Sequence, residues 1–253
     1  MDRSFLLRKE VIEASRDFIC IRLATYEDKA EADYLVKVFA GRTGALENTV
    51  YTMLSPDAKS YLTRSGRSPD FAFQDATDMA RQMKTFAARY SPNLVMQALP
   101  TAKDFRVALN VAACDNMPIV VGVVASPSGA ADQQEAIRAK LADLAWSNDL
   151  RGMSAYVPVS SVDQLKSAKI DVMPGVYVIA PDAYGQTGTV LAHAALDANS
   201  PALRQMLKEA LTRFKPPVKD ARLHISEGDR LGVFWDTAIP VTDLNGPPPR
   251  RRP

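Results

Sequence analysis

The sequence predicts an α/β protein, and three observations carry that reading. Helical and strand-like segments alternate along the 253 residues. The run Met117–Ala125, MPIVVGVVA, is a continuous apolar stretch suited to a strand buried on both faces. One pattern occurs twice, in which a strand meets a Pro-Asp turn, returns as a second strand and continues into a helix.

The elements follow in order. Phe5–Arg16 is read as a helix with Leu7, Val11 and Ile12 on one stripe, and Phe18–Leu23 as a short strand. Lys29–Phe39 is helical, with Tyr34, Leu35, Val38 and Phe39 on its apolar face, and is stopped by Gly41. Asn48–Leu54 and Lys59–Arg64 form a hairpin around Ser55-Pro56-Asp57-Ala58. Asp75 caps a helix running to Tyr90. A linker from Ser91 to Pro100 follows. The second half reads as helix Ala102–Asp115, strand Met117–Ala125, helix Gln133–Ser147, strand Met153–Pro158 and a helical turn over Val162–Ala168. Strands Gly175–Ala180 and Thr189–Ala194 then flank a turn. Pro201–Phe214 is a helix with Ser200 as N-cap and Pro201 at its first position. Arg222–Thr237 is expected to form a hairpin around Glu227-Gly228-Asp229. These boundaries divide the chain into 1–92, 101–217, an extension over 218–246 and a Pro/Arg tail, 247–253, with nothing to bury.

Composition limits the function. The apolar fraction is 47% and the charged fraction 24%, ordinary values for a globular protein, with core enough for two domains. Lys plus Arg is 31 and Asp plus Glu is 29, and three of the positives are the tail residues Arg250, Arg251 and Arg252. The body is therefore not a general polyanion binder, and no nucleic-acid partner is expected. No apolar run reaches the roughly 20 residues of a membrane helix, so no membrane span is expected. The first nine residues lack the apolar core of a signal peptide, and the chain as it stands reads as cytoplasmic.

Chemistry-bearing motifs are few. Two cysteines, Cys20 and Cys114, cannot build a disulfide framework, and with His193 and His224 they lack metal-ligand spacing. Neither a metal nor a cofactor is expected. Cys20, between Ile19 and Ile21, reads as core packing in a strand. Cys114, near a helix C-terminus, reads as structural. They are nonetheless the only thiols for redox chemistry. Ser65-Gly66-Arg67-Ser68-Pro69 reads as a turn rather than an anion site, and His193 as a structural strand histidine. No glycine-rich phosphate loop and no nucleophile–base set is present.

The repeated element, TVYTMLSPDAKSYL in the first half and GVYVIAPDAYGQTGTVL in the second, resembles the C-terminal half of a thioredoxin fold. MPIVVGVV resembles the central strand that leads into that family's active-site helix, and Met173-Pro174 stands where its members carry a cis-proline. The likeness spans about 102–215. It implies two thioredoxin-like domains, each a central mixed sheet flanked by helices. The family's chemistry needs a Cys-X-X-Cys pair at a helix N-terminus. The matching place here reads Ala125-Ser126-Pro127-Ser128-Gly129-Ala130, without cysteine. The likeness thus implies a redox-inactive, protein-binding or scaffolding module. Its groove would be lined by Met173, Pro174, Ser126, Pro127, Ser128 and Gly129, and would take an extended protein or peptide segment.

In the first half, MDRSFLLRKEVIEASRDFICIRL resembles the segment after that family's cysteine pair, with Met1 on a methionine that follows the pair. Asn48 stands where the cis-proline would be. The resemblance implies a first domain truncated at its N-terminus, with translation starting upstream. A cysteine pair there would make the protein a thiol–disulfide oxidoreductase, and a leader further upstream would export it to the periplasm.

Overall fold

A computed structural model describes residues 4–21, 23, 25, 28–39, 50–90, 98–99, 101–102, 104–124, 130–220 and 222–233. The chain divides into two units, Met1–Asn93 with Trp235–Pro253, and Leu94–Phe234. The expected tail 247–253, Gly41, Asn48, and most of the linker lie outside the described residues.

In the first unit, α1 spans Lys9–Ser15, shorter than Phe5–Arg16. Its inward face is Val11 and Ala14, while Leu7 and Ile12 of the expected stripe are exposed. α2 spans Lys29–Val38, and the Asp28 side chain accepts from the backbone N–H groups of Ala30 and Glu31. The hairpin exists as two antiparallel bridges, Tyr51 with Gly66 and Leu54 with Tyr61. A single 3-10 turn, Pro69–Phe71, leads to α3, Ala76–Ala87, capped as expected by Asp75. α3 supplies Ala76, Met79, Ala80, Met83 and Phe86 to a core that also holds Phe5, Val11, Ala14, Met53 and Phe73.

The strand expected over Phe18–Leu23 is not formed: its described residues are neither helix nor strand, and Ile19 and Ile21 are exposed. Its β-branched composition favours extended backbone, but a strand also needs a neighbour for its ladder. Among the described residues the first unit contains no sheet, so one sheet and not two is observed.

The second unit is built around that sheet. α4 is Phe105–Asp115, with Asp104 accepting from the Val107 N–H and Asn116 closing it in left-handed conformation (φ 54°). β1 is Ile119–Val123, α5 Ala130–Ala145, β2 Ala155–Val159, α6 Asp163–Lys166, β3 Gly175–Pro181, β4 Gly188–Ala194 and α7 Ser200–Arg213. The strand order is β2-β1-β3-β4. β1 runs parallel to β2 and antiparallel to β3, and β3 runs antiparallel to β4. The sheet is thus mixed, with β1 in its interior as its continuous apolar run requires.

Pleating divides that run between two cores. Val120 and Val124 join Tyr156, Val176 and Val178 under Ile137, Leu141 and Leu144 of α5 and Leu203, Leu207 and Ala210 of α7. Ile119, Val121 and Val123 join Val157, Val159, Tyr177 and Ile179 against Phe105, Ala108, Leu109 and Ala112 of α4 and Leu165 of α6. Gly122, on the first of these faces, lets α5 approach: a Cβ there would lie 2.3 Å from Ile137 Cγ2.

The two Pro-Asp turns use the same device. Asp57 Oδ1 accepts from the Lys59 N–H at 3.2 Å, and Asp182 Oδ1 from the Tyr184 N–H at 3.1 Å, each two residues on. Asp182 also accepts from Gln186 N–H and Thr187 Oγ1, both at 2.9 Å, which fixes the whole β3–β4 loop.

Two expectations are corrected here. The α7 cap is Asn199, whose Oδ1 accepts from the Ala202 N–H at 2.9 Å, and Ser200 is the first helical residue. The segment read as a hairpin forms α8, His224–Arg230. Asp220 Oδ1 accepts from the N–H groups of Arg222 and Leu223 and so starts the helical turn. Gly228 is buried against Tyr184 rather than at a turn tip, and the Tyr184 ring stacks on His224 at 4.3 Å and 2°.

Candidate functional site

The register of the sheet brings several chain ends together. Val123 pairs with both Val159 and Gly175. The exits of β1 and β2 and the start of β3 therefore share one end of the sheet. Val176 pairs with Ala194, so β4 leaves the sheet at that end too. Met173 and Pro174 precede β3 there. Met173 is 77% exposed although it is large and apolar, and Pro174 is half-buried. Ser126, Pro127, Ser128 and Gly129, the other expected groove residues, lie outside the described residues.

One side chain that the sequence did not single out, that of Tyr177, organises this end. Tyr177, 7% exposed, sends its hydroxyl back to donate to the Met173 carbonyl at 2.8 Å. Its ring also stacks on that of His193 across the strand pair, centroids 6.0 Å apart and 20° from parallel. His193 is exposed, so the structural role expected of it is to cover the Tyr177 ring rather than to fill a core. Gly175 completes the arrangement. A Cβ there would lie 2.8 Å from the Ala194 carbonyl, so β4 closes on β3 only because the residue is glycine. The Met173–Pro174 backbone is thus held from one side while the Met173 side chain stays free in solvent. No described peptide bond is cis, Met173–Pro174 included, which corrects the cis-proline implied by the resemblance.

The polar groups at this end do not form a reactive set. Ser161 Oγ accepts from the Asp163 N–H at 3.1 Å and donates to Asp163 Oδ2 at 3.3 Å, which starts α6. A hydrogen bond from Lys166 holds the Asp163 carboxyl below the usual carboxylate range, and the same pair raises the Lys166 ammonium. Ser160 Oγ accepts from Gln164 Nε2 at 3.3 Å. Among the described residues no serine there is bonded to a histidine, the carboxylate that Ser161 meets is already paired with Lys166, and no group of three His, Cys, Asp or Glu side chains could hold a metal.

The two thiols lie elsewhere. Cys114 is exposed in the last turn of α4, where the helix presents carbonyl oxygens rather than N–H donors. Cys20 is exposed, which overturns its reading as core packing inside a strand. Surrounding protein atoms nonetheless desolvate its Sγ and push the thiol up, and the thiol makes a weak contact with the Ser15 carbonyl at 3.9 Å. A raised thiol is a poorer nucleophile at neutral pH. Among the described residues no helix is long and apolar enough to cross a membrane.

Comparison of the chain with protein-family models matched none, and comparison with curated proteins returned no match either.

Proposed function

We propose that the second unit is a thioredoxin-like module that binds an extended polypeptide segment and carries out no disulfide exchange. One observation supports this most directly: an exposed Met173 before β3, at the end of a β2-β1-β3-β4 sheet where β1 also exits. A parallel β1–β2 pair followed by an antiparallel β3–β4 hairpin and a helix is the order expected of that fold. An extended segment laid across this end would meet the Met173 thioether, a flexible and polarisable apolar contact that adapts to varied side chains. Tyr177 acts by positioning, since its hydroxyl anchors the Met173 carbonyl.

The test uses 13C-methyl methionine labelling, with Met173 assigned by Met173→Leu. The probe is reduced, carboxymethylated α-lactalbumin, a chain that stays extended and has no free thiol. The Met173 methyl resonance is expected to shift on titration, and Met173→Asp to weaken binding at least tenfold. No shift at 1 mM probe, or binding indifferent to Met173→Asp, refutes the groove. In parallel, insulin reduction with dithiothreitol is expected at equal background rates for the wild type and for Cys20→Ser/Cys114→Ser. Turnover lost in the double variant would restore a thiol mechanism.

A further inference from the structure

The thioether of Met173 has a reactivity that peptide contact alone does not use. A peroxide oxidises a methionine where it can reach the sulfur from water. The described methionines differ sharply in that access. Met53, Met79 and Met83 are buried in the first unit's core, and Met117 and Met206 are partly covered. Met153 is 39% exposed and Met173 77%. The exposure of Met173 is also built into the fold. Its carbonyl is held by the Tyr177 hydroxyl at 2.8 Å, and Pro174 restricts the backbone that follows, so a fixed main chain presents a free side chain.

We propose that Met173 is a reversible peroxide-sensitive switch, whose oxidation to the sulfoxide weakens the hold of the second unit on an extended polypeptide segment. The switch rests on the reading of Met173 as that segment's apolar contact. In the forward step a sulfur lone pair attacks one oxygen of hydrogen peroxide. The S–O bond forms as the O–O bond breaks, and the departing hydroxide takes the proton of the transferred oxygen and leaves as water. Sulfur gives up two electrons and the peroxide gains them. In the reverse step a methionine sulfoxide reductase removes the oxygen as water while two thiols become a disulfide. The chemical change falls on the property that the contact needs. A thioether is apolar and adaptable, whereas a sulfoxide oxygen is a hydrogen-bond acceptor that loses its water when an apolar side chain covers it. The fold itself is spared, because the Met173 side chain lies in solvent and the bond from Tyr177 goes to its backbone.

The test uses the full-length Cys20→Ser/Cys114→Ser chain, so that no thiol competes for the oxidant. Peptide mass spectrometry during treatment with hydrogen peroxide should find Met173 sulfoxide forming first, ahead of Met153 and at least tenfold faster than at Met79 or Met83. Peroxide is then removed and reduced, carboxymethylated α-lactalbumin is titrated by calorimetry. The oxidised protein should bind at least threefold more weakly with its urea midpoint unchanged. Treatment with the two methionine sulfoxide reductases, one for each epimer, and dithiothreitol should restore the starting affinity. Whatever affinity Met173→Leu has, peroxide should leave it as it was. Oxidation of Met79 or Met83 as fast as that of Met173 overturns the proposal, as does an affinity lost equally in treated Met173→Leu. An untreated protein that binds and an oxidised one that binds equally well refute the switch alone. An untreated protein that does not bind the probe refutes the groove, and the switch falls with it.

Discussion

Gly122→Ala is the substitution whose effect follows most directly from the geometry. An ideal Cβ at this position lies 2.3 Å from Ile137 Cγ2 and 3.3 Å from Leu141 Cδ1. Carbon atoms settle at about 3.5–4.0 Å, so the Ile137 methyl must retreat by more than ~1 Å. Neither side has room to yield. β1 is hydrogen-bonded on one flank to β2 and on the other to β3, with Gly122 opposite Pro158 and Val176. Ile137 is 4% exposed and Leu141 fully buried. Forcing an extra methyl into a packed core costs about 1–3 kcal/mol. With a urea slope of about 2 kcal/mol per M, the midpoint should fall by roughly 0.5–1.5 M. Trp146, which packs against this core, reports the transition once Trp235→Phe removes the other indole. The decisive measurement is the double-mutant cycle. Ile137→Ala alone should cost about 2–5 kcal/mol by leaving a cavity. In that background the methyl that Gly122→Ala introduces enters space already vacated, and its own cost should drop to near zero. The coupling is then about 1–3 kcal/mol. An equal loss from Gly122→Ala in both backgrounds would show that Ile137 is not what the glycine accommodates.

Two further predictions rest on the same unit. Lys208 hydrogen-bonds Asp149 at 2.6 Å and, aided by Ser147, holds its carboxyl down at about 2, while Arg204 lies 3.2 Å away. The folded state binds this proton less readily than the unfolded chain, with its ordinary value of about 3.9. The contribution is complete above pH ~4 and is lost as pH falls toward 2, so Asp149→Asn should flatten the urea midpoint over that window. Parallel acid limbs would contradict it. Gly185 and Gly152 both have positive φ, 63° and 72°, but a Cβ on Gly185 would lie 2.6 Å from the Asn110 Cα, while Gly152 has nothing within 4 Å. Gly152→Ala should cost about 1 kcal/mol for backbone conformation alone. Gly185→Ala should cost at least twice that by thermal melting, and equal losses would discount the contact with α4.

What the sequence made legible follows from how local each signal was. β1 was visible because a strand buried on both faces has no polar interruption. The β3–β4 hairpin was visible because its Pro-Asp turn is closed by the aspartate's own side chain. The α7 cap was misplaced by one residue, since Asn199 and Ser200 are both good caps and only the bond to Ala202 separates them. Glu227-Gly228-Asp229 suggests a turn because glycine does, yet Gly228 is set by a tyrosine 44 positions earlier. The segment 18–21 has the composition of a strand, but composition cannot supply a partner. At the candidate site the place of Met173 and Pro174 just ahead of β3 was legible. The bond from Tyr177 was not, because it depends on the chain folding back at Pro174 before β3 begins.

The interior position of β1 also has a meaning in time. During synthesis Val121 leaves the ribosome 36 residues before Val157 on β2 and 56 before Tyr177 on β3. At roughly 5–20 residues per second, β1 waits about 2–7 s for its first neighbour and about 3–11 s for its second. Throughout that interval a five-residue run, four of its members Ile or Val and the fifth Gly122, with no charge and no proline, stands with both edges open, the composition that seeds cross-chain stacking. Slowing elongation between Val123 and Gly175 lengthens that exposure. The strand most enclosed in the finished sheet is the segment of the nascent chain most open to capture by its neighbours on the polysome.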